Sequence, residues 1–180
     1  LLKAAIAGVR EVDPAARIVL HVSSVGLSPG DNYIKAFYRH MVDQGVPFDI
    51  AGLSMPYSEG EWILNQYTTD CWFGRVQETV SYLARLGKKS MISEASYPNS
   101  PRGQKGAPMA EFPYSEAGQA AWVREYLRFG NNNPDMAGFM YFYPDWYPGS
   151  ADNPGVVAME SYGFFNGDKT ARPSLQAFKL

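Results

Sequence analysis

The chain has 180 residues, 46% of them hydrophobic and 19% charged, enough apolar matter for a buried core and too mixed for a disordered or collagen-like segment. Sixteen Lys and Arg against 18 Asp and Glu leave a formal charge of −2, without the dense basic footprint that a nucleic-acid backbone demands. The single Cys71 excludes an internal disulfide and a multi-cysteine metal site, and no apolar run approaches the roughly 20 residues that span a bilayer. Nucleic acid and membrane are therefore not expected as partners.

Leu1 has no Met before it and already falls inside a helical pattern, so the chain is expected to begin within an element, with any signal peptide upstream. Leu1, Leu2, Ala5, Ile6, Val9 and Val12 predict an amphipathic helix that Asp13-Pro14 stops. Residues 16–22 (ARIVLHV) form a β-branched run with almost no alternation, which predicts a parallel strand buried on both faces. After Asp31, a candidate cap, Ile34, Phe37, Tyr38, Met41 and Val42 make a helical stripe ending at Gly45. A strand follows over residues 48–54. A helix is expected over 71–86, with Phe73, Val76, Val80 and Leu83 inward and Gly87 at its end, then a strand over 89–94. Ser115 caps a helix that turns Trp122, Val123, Tyr126 and Leu127 inward before Gly130, a fourth strand covers 136–143, and a short helix covers 173–180. Strands alternating with helices define an α/β class with right-handed crossovers. Four units suit an open sheet by length alone, but the loops after the strands are long and aromatic, and no GxGxxG or GxxxxGK[ST] follows the first strand.

Glu94 is the strongest chemical candidate, because KKSMISEASYP places a carboxylate where an apolar strand becomes a loop. In a βα barrel that end is the active face, and a desolvated carboxylate there serves as nucleophile or base. The alternative is a strand-end Glu paired with a base or capping the next helix. GFMYFYPDWYPG gathers rings in one strand and its exit. Trp146 with Tyr143 or Tyr147 fits a saccharide platform, Phe139 and Phe142 fit the packing layers, and Asp145 suits either a hydroxyl contact or an Asx turn. Tyr57 follows the second strand, where a phenol either steadies a carboxylate or packs on Trp62. His21, near the end of the first strand, suits a sugar hydroxyl or a core hydrogen bond, whereas His40 lies on a solvated helix. HExxH does not occur, so zinc is poorly served, and the single Cys71 near a helix start carries no sequence-level sign of activation, so acyl transfer is not expected.

Taken in order on successive strand ends, FDIAGLSMPY, ISEASYP and YFYPDWYPG resemble glycoside hydrolase family 53, the arabinogalactan endo-β-1,4-galactanases. The resemblance runs over essentially all 180 residues but reaches only the second half of that family's barrel. It implies four βα units forming half of a (β/α)8 TIM barrel, and a retaining mechanism acting on galactan or a related plant cell-wall polysaccharide. Glu94 matches the strand-seven nucleophile; Tyr97, in the same motif, joins Trp146, Tyr143, Asp145, Tyr57 and His21 as expected substrate-binding residues. The family's acid belongs to a strand-four Gly-Asn-Glu that this sequence does not contain, so no acid is carried over. Met55 before Pro56-Tyr57, and Phe142 where a Trp is frequent, depart from the family pattern. No cofactor is implied, and no calcium is expected, because residues 99–113 offer no acidic cluster. The segment is expected to be a poor catalyst alone, to need the N-terminal half or self-association, and to work outside the cell. A non-catalytic carbohydrate-binding barrel, and an open α/β domain unrelated to sugars, are the competing readings.

Overall fold

The computed structural model describes residues 1–23, 33–54, 69–102, 108–149 and 157–179. Its elements are α1 (Leu2–Val12), β1 (Val19–Ser23), α2 (Tyr33–Asp43), β2 (Ile50–Ser54), α3 (Thr69–Arg85), β3 (Lys89–Glu94), α4 (Glu116–Asn131), β4 (Met136–Phe139), α5 (Val157–Glu160) and α6 (Pro173–Gln176), with a 3-10 turn over Ala177–Lys179. The strands pair in parallel in the order β1-β2-β3-β4. Parallel neighbours need crossovers, which α2, α3 and α4 supply. Gly45 and Gly87, at φ +63° and +74°, close α2 and α3 in the left-handed region. Ser115 caps α4 by accepting the Gly118 amide at 3.0 Å. The expected cap Asp31 lies outside the described residues.

The helices cover one face of the sheet. Ile34 and Tyr38 of α2, Val76, Val80 and Leu83 of α3, and Trp122, Val123 and Tyr126 of α4 are buried in one cluster with Val22, Leu53 and Ile92. The Tyr38 hydroxyl, 2.6 Å from both the Leu20 and Gly52 carbonyl oxygens, pins α2 across β1 and β2. Burial pushes its pKa up, which keeps it a donor. Gly130 lets Phe139 lie against α4, since a Cβ there would stand 2.3 Å from the ring.

Three expectations are corrected. β1 is not covered on both faces: it is a sheet edge among the described residues, with Val19 40% exposed and His21 exposed. The α1 stripe buries only Ile6, leaving Val9 and Val12 exposed. β4 ends at Phe139 rather than at residue 143; the Met140 and Phe142 amides still bond to the Ile92 and Ala95 carbonyls, and the chain turns away at Tyr143, which takes φ +57°. The four-residue α5 is too short to leave a periodic trace in sequence.

A buried polar knot joins the loops after β3 and β4. Gln119 of α4 is fully buried; its Nε2 donates toward the carbonyls of Tyr97 at 2.8 Å, Tyr162 at 3.0 Å and Ser161 at 3.1 Å, while its Oε1 accepts from Ser174 Oγ at 2.6 Å. The Tyr141 hydroxyl lies 3.1 Å from the Tyr97 carbonyl and 2.9 Å from that of Tyr162, and accepts the Tyr97 amide at 3.2 Å. Desolvation raises the Tyr141 pKa, so the phenol stays protonated. Gln119→Ala removes the common donor and is expected to cost about 3 kcal/mol, read as a lower urea midpoint at unchanged m.

At the other end, Asp49 accepts the Ile18 amide at 2.6 Å and Arg10 Nη2 at 2.9 Å. These bonds, the backbone one foremost, hold its pKa below the ordinary carboxylate value. A lowered folded pKa means that the stabilisation is complete above the unfolded value of about 3.9 and fades as the pH falls through the folded one. Wild-type urea midpoints should therefore fall more steeply than those of Asp49→Asn on acidification from about pH 7 to about pH 3.

Candidate active site

Glu94 closes β3 at the carboxyl end of the sheet. Along β2 and β3 the pairing runs Leu53 to Ile92 and then Ser54 to Glu94, so Ser93 is an extra residue in the ladder. Its hydroxyl donates to the Leu53 carbonyl at 3.1 Å. The half-buried Glu94 stands abreast of buried Ser54, whose Oγ donates to Glu94 Oε2. Among the described residues no ion pair involves Glu94. Among the described residues the carboxylate is thus held by a neutral donor and by no basic partner.

The ring loop begins beside it. Met140 donates its amide to the Ile92 carbonyl and Phe142 to that of Ala95, each at 2.8 Å, so residues 140–142 follow the chain on either side of Glu94. Tyr143 stacks on Trp146 with centroids 4.5 Å apart and an interplanar angle of 28°, and it touches Phe142 at 3.8 Å. All three rings are half-buried. A non-glycine residue at φ +57° costs energy and is kept only where its surroundings enforce it. Here the enforcement is visible: Phe164 donates its amide to the Pro144 carbonyl at 2.8 Å, and the Gly149 amide reaches buried Glu160 Oε1 at 2.9 Å. Gly163 is equally necessary, since a Cβ there would lie 1.5 Å from the Trp146 carbonyl oxygen. Buried Arg172 donates to the Gly163 carbonyl at 2.8 Å and fixes that approach.

The structure thus brings Glu94, Phe142, Tyr143 and Trp146 to one end of β3 and β4. Asp145 is exposed on the same loop, and Tyr147 is half-buried with Lys169 Nζ 5.8 Å from its ring centroid. His21 stands on the exposed side of the edge strand, opposite Gly52. Phe139 packs on Tyr126 as a layer-filling ring, centroids 5.3 Å apart. Tyr57, with Trp62, lies outside the described residues. Tyr97 needs correction as a substrate contact. It is fully buried, stacked on Trp122 at 5.3 Å, with its hydroxyl donating to the Phe112 carbonyl at 2.5 Å and accepting the Met109 amide at 3.0 Å. Its ring serves the helix-side core, while its backbone enters the knot that holds the loop after Glu94.

Sequence reading passed over Ser54, Gln119, Tyr141 and Gly163. Only Ser54 carried a signal, as a hydroxyl ending one strand beside a carboxylate ending the next; the others act through contacts distant in sequence.

The sequence profile of glycosyl hydrolase family 53 matches residues 1–178. A curated protein of Niallia circulans, described as an uncharacterized protein in the bgaB 5' region, is 30% identical over 161 residues, covering 82% of this chain and 40% of that protein. Among solved structures, a fungal β-1,4-galactanase superposes with a TM-score of 0.76 at 21% identity, over 99% of this chain and 52% of that one. A GH10 structure from Paenibacillus barcinonensis gives 0.63 at 18%, over 98% and 49%, and xylanase 10C of Cellvibrio japonicus gives 0.61 at 14%, over 98% and 38%. These likenesses speak to the fold, in which four parallel βα units make a partial TIM barrel. The chain spans about half of the galactanase and two fifths of the curated relative. With the profile matched from end to end of the described strands, the chain belongs to glycosyl hydrolase family 53.

Proposed function

We propose that this chain is the C-terminal half of the catalytic domain of a retaining endo-β-1,4-galactanase, with galactan or arabinogalactan as substrate and Glu94 as the nucleophile. The observation that carries the reading is the Glu94 carboxylate, free of any ion pair among the described residues, at the strand end where the Tyr143–Trp146 stack begins. A stacked pair of rings presents a flat apolar face, which suits the C–H face of a hexose. In the retaining reaction Glu94 attacks the anomeric carbon, the glycosidic C–O bond breaks, and a second carboxyl about 5 to 5.5 Å away protonates the leaving oxygen. No residue of this chain is assigned that acid, so natural galactan calls for the strands that complete the barrel, or for another chain that supplies the acid. Such a substrate implies work outside the cell.

Joined to the four strands that complete the barrel, the protein is expected to release reducing ends from galactan. Glu94→Gln should lower that rate at least about a thousandfold; full turnover by this variant would refute the assignment of the nucleophile. Trp146→Ala should raise KM about tenfold with little change in kcat, as loss of a stacking surface predicts. The second reading, a barrel that binds polysaccharide without cleaving it, draws on the same ring stack. It predicts galactan-dependent thermal stabilisation with no hydrolysis in the completed barrel.

A further inference from the structure

We propose that Ser54 is a positioning residue for Glu94, brought into register by the Ser93 bulge; this rests on the glycosidase reading above. Strand side chains alternate between faces. Ile92 is fully buried in the helix-side cluster, and without an extra residue Glu94, two positions on, would turn to that same layer. The bulge at Ser93 cancels one step of alternation, so Glu94 pairs with Ser54 on the opposite face. Leu53 points into the helix-side core, which puts Ser54, its neighbour, on the other face. Ser54 is 1% exposed at the end of β2, and its hydroxyl donates to Glu94 Oε2. One carboxylate oxygen is thereby engaged, and Oε1, which accepts no hydrogen bond among the described residues, is the atom that bonds to carbon. A rigid strand-borne donor also removes rotameric freedom that the attacking group would otherwise lose in the transition state.

The test uses a 2,4-dinitrophenyl 2-deoxy-2-fluoro-β-galactobioside on the chain alone and joined to the completing strands. Glu94 displaces dinitrophenolate, whose electron pair leaves with the oxygen and needs no proton, and the glycosyl-enzyme accumulates. Labelling of the Glu94 peptide is followed by mass spectrometry and the phenolate burst by absorbance. Ser54→Ala should slow the maximal labelling rate about tenfold to a hundredfold without raising the half-saturating concentration, and Ser54→Thr, which keeps the hydroxyl, should recover most of it. Equal rates for wild type and Ser54→Ala overturn the role of Ser54 while the nucleophile assignment stands. Failure of Ser54→Thr to recover labelling, with circular dichroism matching wild type, also overturns it. Absence of wild-type labelling in both forms overturns the glycosidase reading and this inference with it.

Discussion

Two loops that leave the carboxyl ends of neighbouring strands are tied together by one buried amide, and the candidate site depends on that tie. Gln119 reaches from α4 to carbonyls on both sides, Tyr97 after β3 and Ser161 and Tyr162 beyond β4, with Tyr141 bridging the same two stretches. A buried carbonyl without a donor costs about 1 to 3 kcal/mol, so each member holds the others in place. The consequence reaches function, because Glu94 and the ring loop belong to these two segments and keep their spacing only while the knot is closed.

Strain is placed where that support is strongest. Tyr143 occupies the left-handed region, Gly163 lies against the Trp146 backbone, and buried Arg172 and Glu160 hold the segment through hydrogen bonds to backbone atoms. Desolvation lowers the Arg172 pKa, a cost that its bonds to Gly163 and Asn166 offset. A loop secured in this way presents its rings in one arrangement, which is what a stacking surface for a rigid saccharide requires.

Among the described residues the sheet ends in two edges, β1 and β4, and the face of β1 bearing Val19 and His21 is exposed. Unpaired strand edges are unfavourable for an isolated domain, and a parallel sheet is ordinarily covered on both faces. The family offers a simple physical completion, since four further βα units close a barrel, pair both edges and bury the inner face. Under the function proposed above, the same closure would also place the acid opposite Glu94.

Much of this architecture was legible in the sequence. The stripes of Ile34 and Tyr38, of Val76, Val80 and Leu83, and of Trp122, Val123 and Tyr126 do face the core, because a 3.6-residue repeat admits one buried side. β3 has the predicted bounds, and Gly45, Gly87 and Ser115 stop or cap helices for reasons local to the chain. Tyr97 could not be read so, since a phenol at a strand exit looks alike whether it meets solvent or Trp122. The apolar run of β1 misled for the matching reason: hydrophobicity announces that a face will be covered, not by which chain.

By itself the sequence determined the βα rhythm, the family and the place of a carboxylate at a strand end, since propensity, periodicity and motif spacing are properties of neighbours along the chain. Only the tertiary structure decided which way that carboxylate turns, what holds it and which rings stand beside it. One extra residue at Ser93 inverts a strand's alternation, and Gln119 meets carbonyls 22, 42 and 43 positions away. Contacts at such separations exist only once the chain has closed upon itself.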